Sequence, residues 1–259
     1  MNNIFNFKRF SQLFIKHTQE FYRAYLLSVM VLIGILAITL GYFCYSHNGT
    51  MTSKDQFMMF SIFLFSSGAI FTSGIFSNLG NKRKTIAILT LPASHFEKYL
   101  IAWLYSFVIF QLVFILGYYT VDFLVLSTIG ADKEEGIKLM NLLSPETNYS
   151  MLVVGFAFLH SLLFFGAIFF EKLHFIKTVL VVFLGILFIS LLNQQLATAI
   201  IGLTLEKVTP FATVALKEGG KIYYIEAQSS IKPIMNGMTC VFATILWIGA
   251  YFKLKEKQV

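Results

Sequence analysis

Apolar residues in this chain gather in long runs, interrupted by short polar connections. Six runs stand out, near residues 24–46, 57–76, 100–125, 150–170, 178–200 and 233–252. Each meets the roughly 20 residues an α-helix needs to cross a hydrocarbon layer of about 30 Å. Inside lipid every backbone amide must be bonded within its own segment, so unbroken apolar runs predict helices. A β-barrel would alternate apolar and polar positions, and these runs do not. The pattern predicts an all-α, polytopic membrane protein with six transmembrane helices, forming a single transmembrane domain over residues 1–259.

Ahead of the first run the periodicity changes. Phe10, Leu13, Phe14, His17 and Phe21 recur at helical spacing, while Gln12, Lys16, Gln19, Glu20 and Arg23 take the other face. This predicts an N-terminal interfacial helix within residues 1–23. The same periodicity also fits a helix that continues into the first span. No apolar core followed by small residues precedes it, so this segment is expected in the mature protein.

Composition agrees with the pattern. Hydrophobic residues make up 57% and charged residues 13%, against roughly 45–50% and 25% in soluble domains. That leaves too little polar surface for a water-soluble catalytic domain. The formal charge of +7 is spread over the connections, so it is read as topology and not as a nucleic-acid footprint. Thirteen of the twenty Lys and Arg residues fall in segments 1–23, 78–99, 171–177 and 253–259. The positive-inside bias therefore predicts both termini cytoplasmic. Cys44 and Cys240 lie far apart in apolar segments and read as free thiols.

The connection 78–99 carries the densest basic cluster, Lys82, Arg83 and Lys84, followed by a short apolar stretch with Ile86 and Leu89. Pro92 disfavours helical geometry at Leu91 and closes a first short helix. Ser94 and Glu97 have the spacing of a capping box, which starts a second helix leading into the third span. The same features would also suit contact with lipid headgroups.

At this point the chain resembles the membrane permeases of ATP-binding-cassette exporters of the second type. That family has six spans and an N-terminal interfacial helix. It also carries a coupling helix between spans two and three, followed by a Leu-x-x-Pro-x-Ser stretch that Leu89, Pro92 and Ser94 match. The resemblance implies that Lys82, Arg83, Lys84, Ile86, Leu89, Pro92, Ser94 and Glu97 form the ATPase-coupling segment. It departs from many members, which have acidic residues and Gly-Thr ahead of the leucines. No G-x-x-x-x-G-K-[ST] pattern occurs. No cofactor is therefore expected in this chain, and ATP would be bound by a separate ATPase subunit. A second permease copy or a homologous permease would complete the path, in the plasma membrane, most simply a bacterial inner membrane. The competing function is a non-transporting membrane scaffold or sensor subunit with the same topology.

The remaining polar residues refine this picture. Connection 201–232 is too long to be structureless. Val214 to Glu218 and Lys221 to Ala227 flank Gly219-Gly220 and predict a hairpin, while Leu203 to Val208 is expected as a short re-entrant helix by resemblance. Asp122, some 22 residues into the third span, is expected at a solvated interface. Asn193, Gln194 and Gln195 point in different directions around a helix and are read as lining a substrate path, breaking the helix or ending the span. His160 and Ser161 diverge by about 100° on a helix, so they predict interhelical hydrogen bonds and not a catalytic pair. With no H-E-x-x-H or Gly-x-Ser-Gly pattern, no enzyme activity is expected of this chain.

Overall fold

Helix α1 begins at Asn6, whose side chain accepts from the amides of Lys8 and Arg9, and runs unbroken over Phe7–Ser46. In a computed structural model of the chain the described residues are 5–76, 93–130, 138–144, 147–170, 173–201, 205–208, 214–218, 221–225 and 231–256. Among the described residues six helices are long and apolar enough to cross a membrane, so the architecture is that of a multi-pass membrane protein. After α1 come α2 (Ser53–Gly74), α3 (His95–Ile129), α4 (Tyr149–Phe169), α5 (His174–Ile201) and α6 (Ile231–Glu256).

The 40 residues of α1 span about 60 Å at 1.5 Å per residue, twice the hydrocarbon thickness. The amphipathic first turns are therefore not a separate helix, contrary to the sequence expectation. No Pro or Gly lies between Glu20 and Leu27 to break the helix. The apolar stripe is covered by protein: Phe14 and His17 pack on Tyr105, and Phe5 on Phe96, both rings belonging to α3.

Helices α1 and α3 run parallel, as alternate spans of an up-and-down bundle must. Arg9 meets Glu97 and Thr18 meets Tyr105 at sequence offsets of 88 and 87, so the two helices stay in step. Further along, Gly117 lies beneath Ile33 and Gly41 beside Ile129. Helix α2 runs against α3, with Phe71 on Phe110 and Phe60 on Tyr118. Helices α2, α4 and α6 share one direction: Phe60 touches Tyr149 while Phe76 touches Phe164, and His160 touches Trp247 while Lys253 lies over Phe169. Since Tyr251 also packs on Phe96, the start of α1 and the end of α6 lie at the same end of the bundle. That end is called here the near end.

Half of the apolar window of α4 is buried (50%), against 6% of that of α5. Helix α4 is thus the central post, and α5 presents its apolar surface outward, where lipid is the natural solvent. Close approach of the two is allowed by Gly166, since a Cβ there would stand 2.8 Å from the Cβ of Thr178.

Between α5 and α6 the chain forms a three-stranded antiparallel sheet of β1 (Leu205–Val208), β2 (Val214–Glu218) and β3 (Lys221–Ile225). Glu218 pairs with Lys221, the register of a two-residue connection, as the glycine pair predicts. The expected re-entrant helix at Leu203 to Val208 is corrected: residues 205–208 are the strand that edges β2. A helix of that length would be costly to nucleate, whereas β2 supplies backbone partners at once.

Candidate functional site

At the near end, the sequence signal and the geometry coincide on one carboxylate. Ser94 caps α3 by accepting from the Glu97 amide at 3.1 Å, and the Glu97 side chain accepts in return from the Ser94 amide at 2.9 Å. This is the capping box read from the sequence. The same carboxylate also accepts from the Asn6 amide at 2.8 Å and from Arg9, through Nε at 2.8 and 3.0 Å and Nη2 at 2.8 Å. Glu97 is fully buried, and the Arg9 guanidinium supplies the charge that makes this burial tolerable. One side chain therefore joins the cap of α3, the cap of α1 and the Arg9 guanidinium in the first turn of α1. The remaining residues of the expected coupling segment, Lys82, Arg83, Lys84, Ile86, Leu89 and Pro92, lie outside the described residues.

Within α3, residues Leu104–Ile109 form a π-helical stretch, a local widening often found where a helix has to present unusual neighbours. Here it presents two buried polar residues in succession. Tyr105 hydrogen-bonds Thr18 of α1 and stacks on Tyr25, whose hydroxyl meets His17 at 2.8 Å. Ser106 turns to the other side and meets His160 Nε2 at 2.8 Å.

His160 also receives a hydrogen bond from Trp247 Nε1, at 3.1 Å to Nδ1. An indole can only donate, so Nδ1 accepts and the proton of the neutral ring is assigned to Nε2. His160 then donates to Ser106, which donates on to the Ala102 carbonyl at 2.7 Å. The network joins α3, α4 and α6 with every group satisfied. It leaves no lone pair on His160 to take the Ser106 proton, so it is a structural tie and not a nucleophile with its base. Ser161 bonds the Phe158 carbonyl within its own helix.

The far end holds a second polar cluster. Gln56, at the start of α2 and fully buried, donates to the carbonyls of Met51 and Lys138 and accepts from the Met140 amide at 2.7 Å. Tyr118 donates to the Gln56 carbonyl and Tyr119 to the Met140 carbonyl, both at 2.7 Å. Residues 138–144 are thereby strapped across the end of the bundle, with Met140 in the core. Asp122 lies one turn beyond Tyr118 and is fully buried, not solvated as its depth in the span led one to expect. The depth was counted along one helix, whereas Leu40 and Cys44 of α1 and Met140 of the strap pack in the cluster that holds its neighbours Val121 and Val125.

Asn193, Gln194 and Gln195 do not break α5, which continues to Ile201. Asn193 and Gln194 are half-buried and Gln195 is exposed, so the three face different surroundings, as consecutive helical residues should. Among the described residues no group of three His, Cys, Asp or Glu side chains is placed to hold a metal ion. An apolar cleft of about 370 Å³ lies between α2 and the start of α5, lined by Ile70, Ser73, Gly74, Leu173, Phe175 and Ile176.

Arg9 and Asn6 are the site residues that sequence reading missed. Asn6 carries a usable signal, an N-cap residue just ahead of an amphipathic run. Arg9 carries none, because its partner is 88 positions away. No family model, curated protein or solved structure matches this chain.

Proposed function

We propose that this chain is the transmembrane permease subunit of an ATP-binding-cassette exporter, worked by a separate ATPase subunit that docks on the loop between α2 and α3. The observation that carries the reading is the join at Glu97. The helix that leaves this loop is capped by Ser94 and bonded through Glu97 to the first turns of α1. A push on the loop would move α1 and α3 together, since the two stay in step along their length. The distribution of positive charge supports placing the near end, with both chain ends, in the cytosol. Lys82, Arg83 and Lys84 then face the compartment where ATP is found. The far end, with its strap and sheet, faces outward in the plasma membrane. Asn193, Gln194 and Gln195 supply polar groups on the helix that packs least against its own bundle, where a second permease copy could complete a path.

The test is co-purification. Exporter coupling predicts that an ATPase subunit bearing the G-x-x-x-x-G-K-[ST] phosphate loop accompanies the chain. Reversing Lys82, Arg83 and Lys84 to Glu, or replacing Leu89 with Ala, should abolish that association. Unchanged association in both variants contradicts the coupling assignment. The scaffold reading predicts instead a bound, active ATPase with no transport.

A further inference from the structure

Asp122, at the far end of the bundle, has both carboxyl oxygens buried and without a hydrogen-bond partner among the described residues. We propose that Asp122 is a proton-binding site that latches the far end of the bundle: it holds a proton while the strap 138–144 is closed, and releases it to water when the strap lifts. The inference does not depend on the exporter reading.

The ligand is identified by what the site offers. An ionised carboxylate sealed from water needs donors or a counter-charge. Neither is present among the described residues. The titratable groups that interact with Asp122 are Cys44 on α1 and Tyr118 and Tyr119 on its own helix, none of them cationic. Of the elements packed at this end, α2 contributes Gln56, which is spent on the strap, with Lys54 and Asp55 on its first turn; α4 contributes Tyr149; the strap contributes Lys138. Around Asp122 the packing is apolar, with Leu40, Val121, Val125 and Met140 in one cluster. A metal ion or an amine would need coordinating oxygens or a cavity. A proton needs neither, because it converts the carboxylate to a neutral acid of the same shape.

Release is tied to the strap because Tyr119, three residues before Asp122, donates to the Met140 carbonyl, and Met140 packs in the same cluster as Val121 and Val125 on either side of Asp122, so the strap lies against this stretch of α3. When the carboxyl O–H bond breaks, the proton passes to that water and the carboxylate left behind requires hydration. Rising pH on that face therefore favours the lifted strap, since the open form binds fewer protons than the closed one.

The experiment uses the full chain in lipid nanodiscs. Backbone amide hydrogen exchange of residues 138–144 is measured against pH, in this chain and in Asp122→Asn, and the ratio of the two rates cancels the intrinsic pH dependence of exchange, which is the same for the same amides in both. The ratio should rise with pH, by up to about tenfold per pH unit, the limit for one linked proton. In parallel, carbon-13-labelled aspartate in the unsubstituted chain should give an infrared carbonyl band of a protonated acid at neutral pH, a measurement that stands even if Asp122→Asn does not fold. A flat ratio overturns the latch. Absence of the protonated-acid band overturns the proton site itself.

Discussion

The Arg9 guanidinium reaches across 88 positions of sequence to the fully buried Glu97 carboxylate, with Nε and Nη2 donating at 2.8 to 3.0 Å. Two helices that both outrun the bilayer are thereby fastened where the chain enters α3. Because Glu97 also accepts from the amides of Asn6 and Ser94, it has more to lose than a surface ion pair. Glu97→Gln should release the first turns of α1, read as faster hydrogen exchange over residues 7–18 with little change at the far end. Arg9→Lys should fall between wild type and Arg9→Ala, because a lysine cannot reproduce the two-pronged contact. Equal exchange in all variants contradicts the joint.

The capping box makes a separate and smaller prediction. Ser94→Ala removes the acceptor for the Glu97 amide, a loss of about 1 kcal/mol for a helix cap. Ser94→Asp should restore most of it. The midpoint of unfolding in detergent checks both.

The ring of His160 is satisfied on both nitrogens, so its removal strands partners on two other helices. His160→Ala should destabilise the chain by about 1–3 kcal/mol for each buried group left unpaired. Ser106→Ala should cost less, since only one donor is stranded. Nitrogen-15 NMR of labelled histidine should show the Nε2-protonated tautomer, and an active-site serine reagent should leave Ser106 unmodified. Labelling of Ser106 would contradict the structural role.

The Gln56 side chain makes three hydrogen bonds, two of them to the strap and one to the Met51 carbonyl. Gln56→Leu should cost about 3 kcal/mol at roughly 1 kcal/mol per bond, and should free residues 138–144 to a protease added on the far side. An unchanged cleavage rate would mean that the Tyr119 bond and Met140 packing hold the strap without Gln56.

Gly166 fixes the seat of α5. A Cβ at that position falls within contact distance of the Thr178 hydroxyl and 2.8 Å from its Cβ. Gly166→Ala should therefore destabilise by about 1–3 kcal/mol, the usual cost of overpacking, and Thr178→Ala in the same chain should recover part of it.

The helices were legible because a bilayer imposes a length and a continuous apolarity on each span, which no other constraint produces. The Ser94 to Glu97 cap was legible for a similar reason, being a local motif complete within four residues. What was not legible came from distant segments. The apolar stripe of Phe10, Phe14, His17 and Phe21 has the same spacing whether it meets lipid or Tyr105. Asp122 counted along its own helix belongs near an interface, but it is buried, with α1 and the connection after α3 both contributing to the cluster around Val121 and Val125. His160 announced an interhelical bond, yet nothing in its neighbours named Ser106 or Trp247. Leu205–Val208 became a strand because β2 was there to pair with it, which a window of four residues cannot reveal.

The claim most exposed to test is that the basic loop between α2 and α3 meets a motor subunit and not merely headgroups. A photo-crosslinking amino acid placed at position 86, in chains expressed at native level in intact membranes, reports what touches that loop. The account predicts an adduct with a subunit carrying the G-x-x-x-x-G-K-[ST] phosphate loop, lost when Lys82, Arg83 and Lys84 are reversed to Glu. Adducts with lipid alone would contradict it.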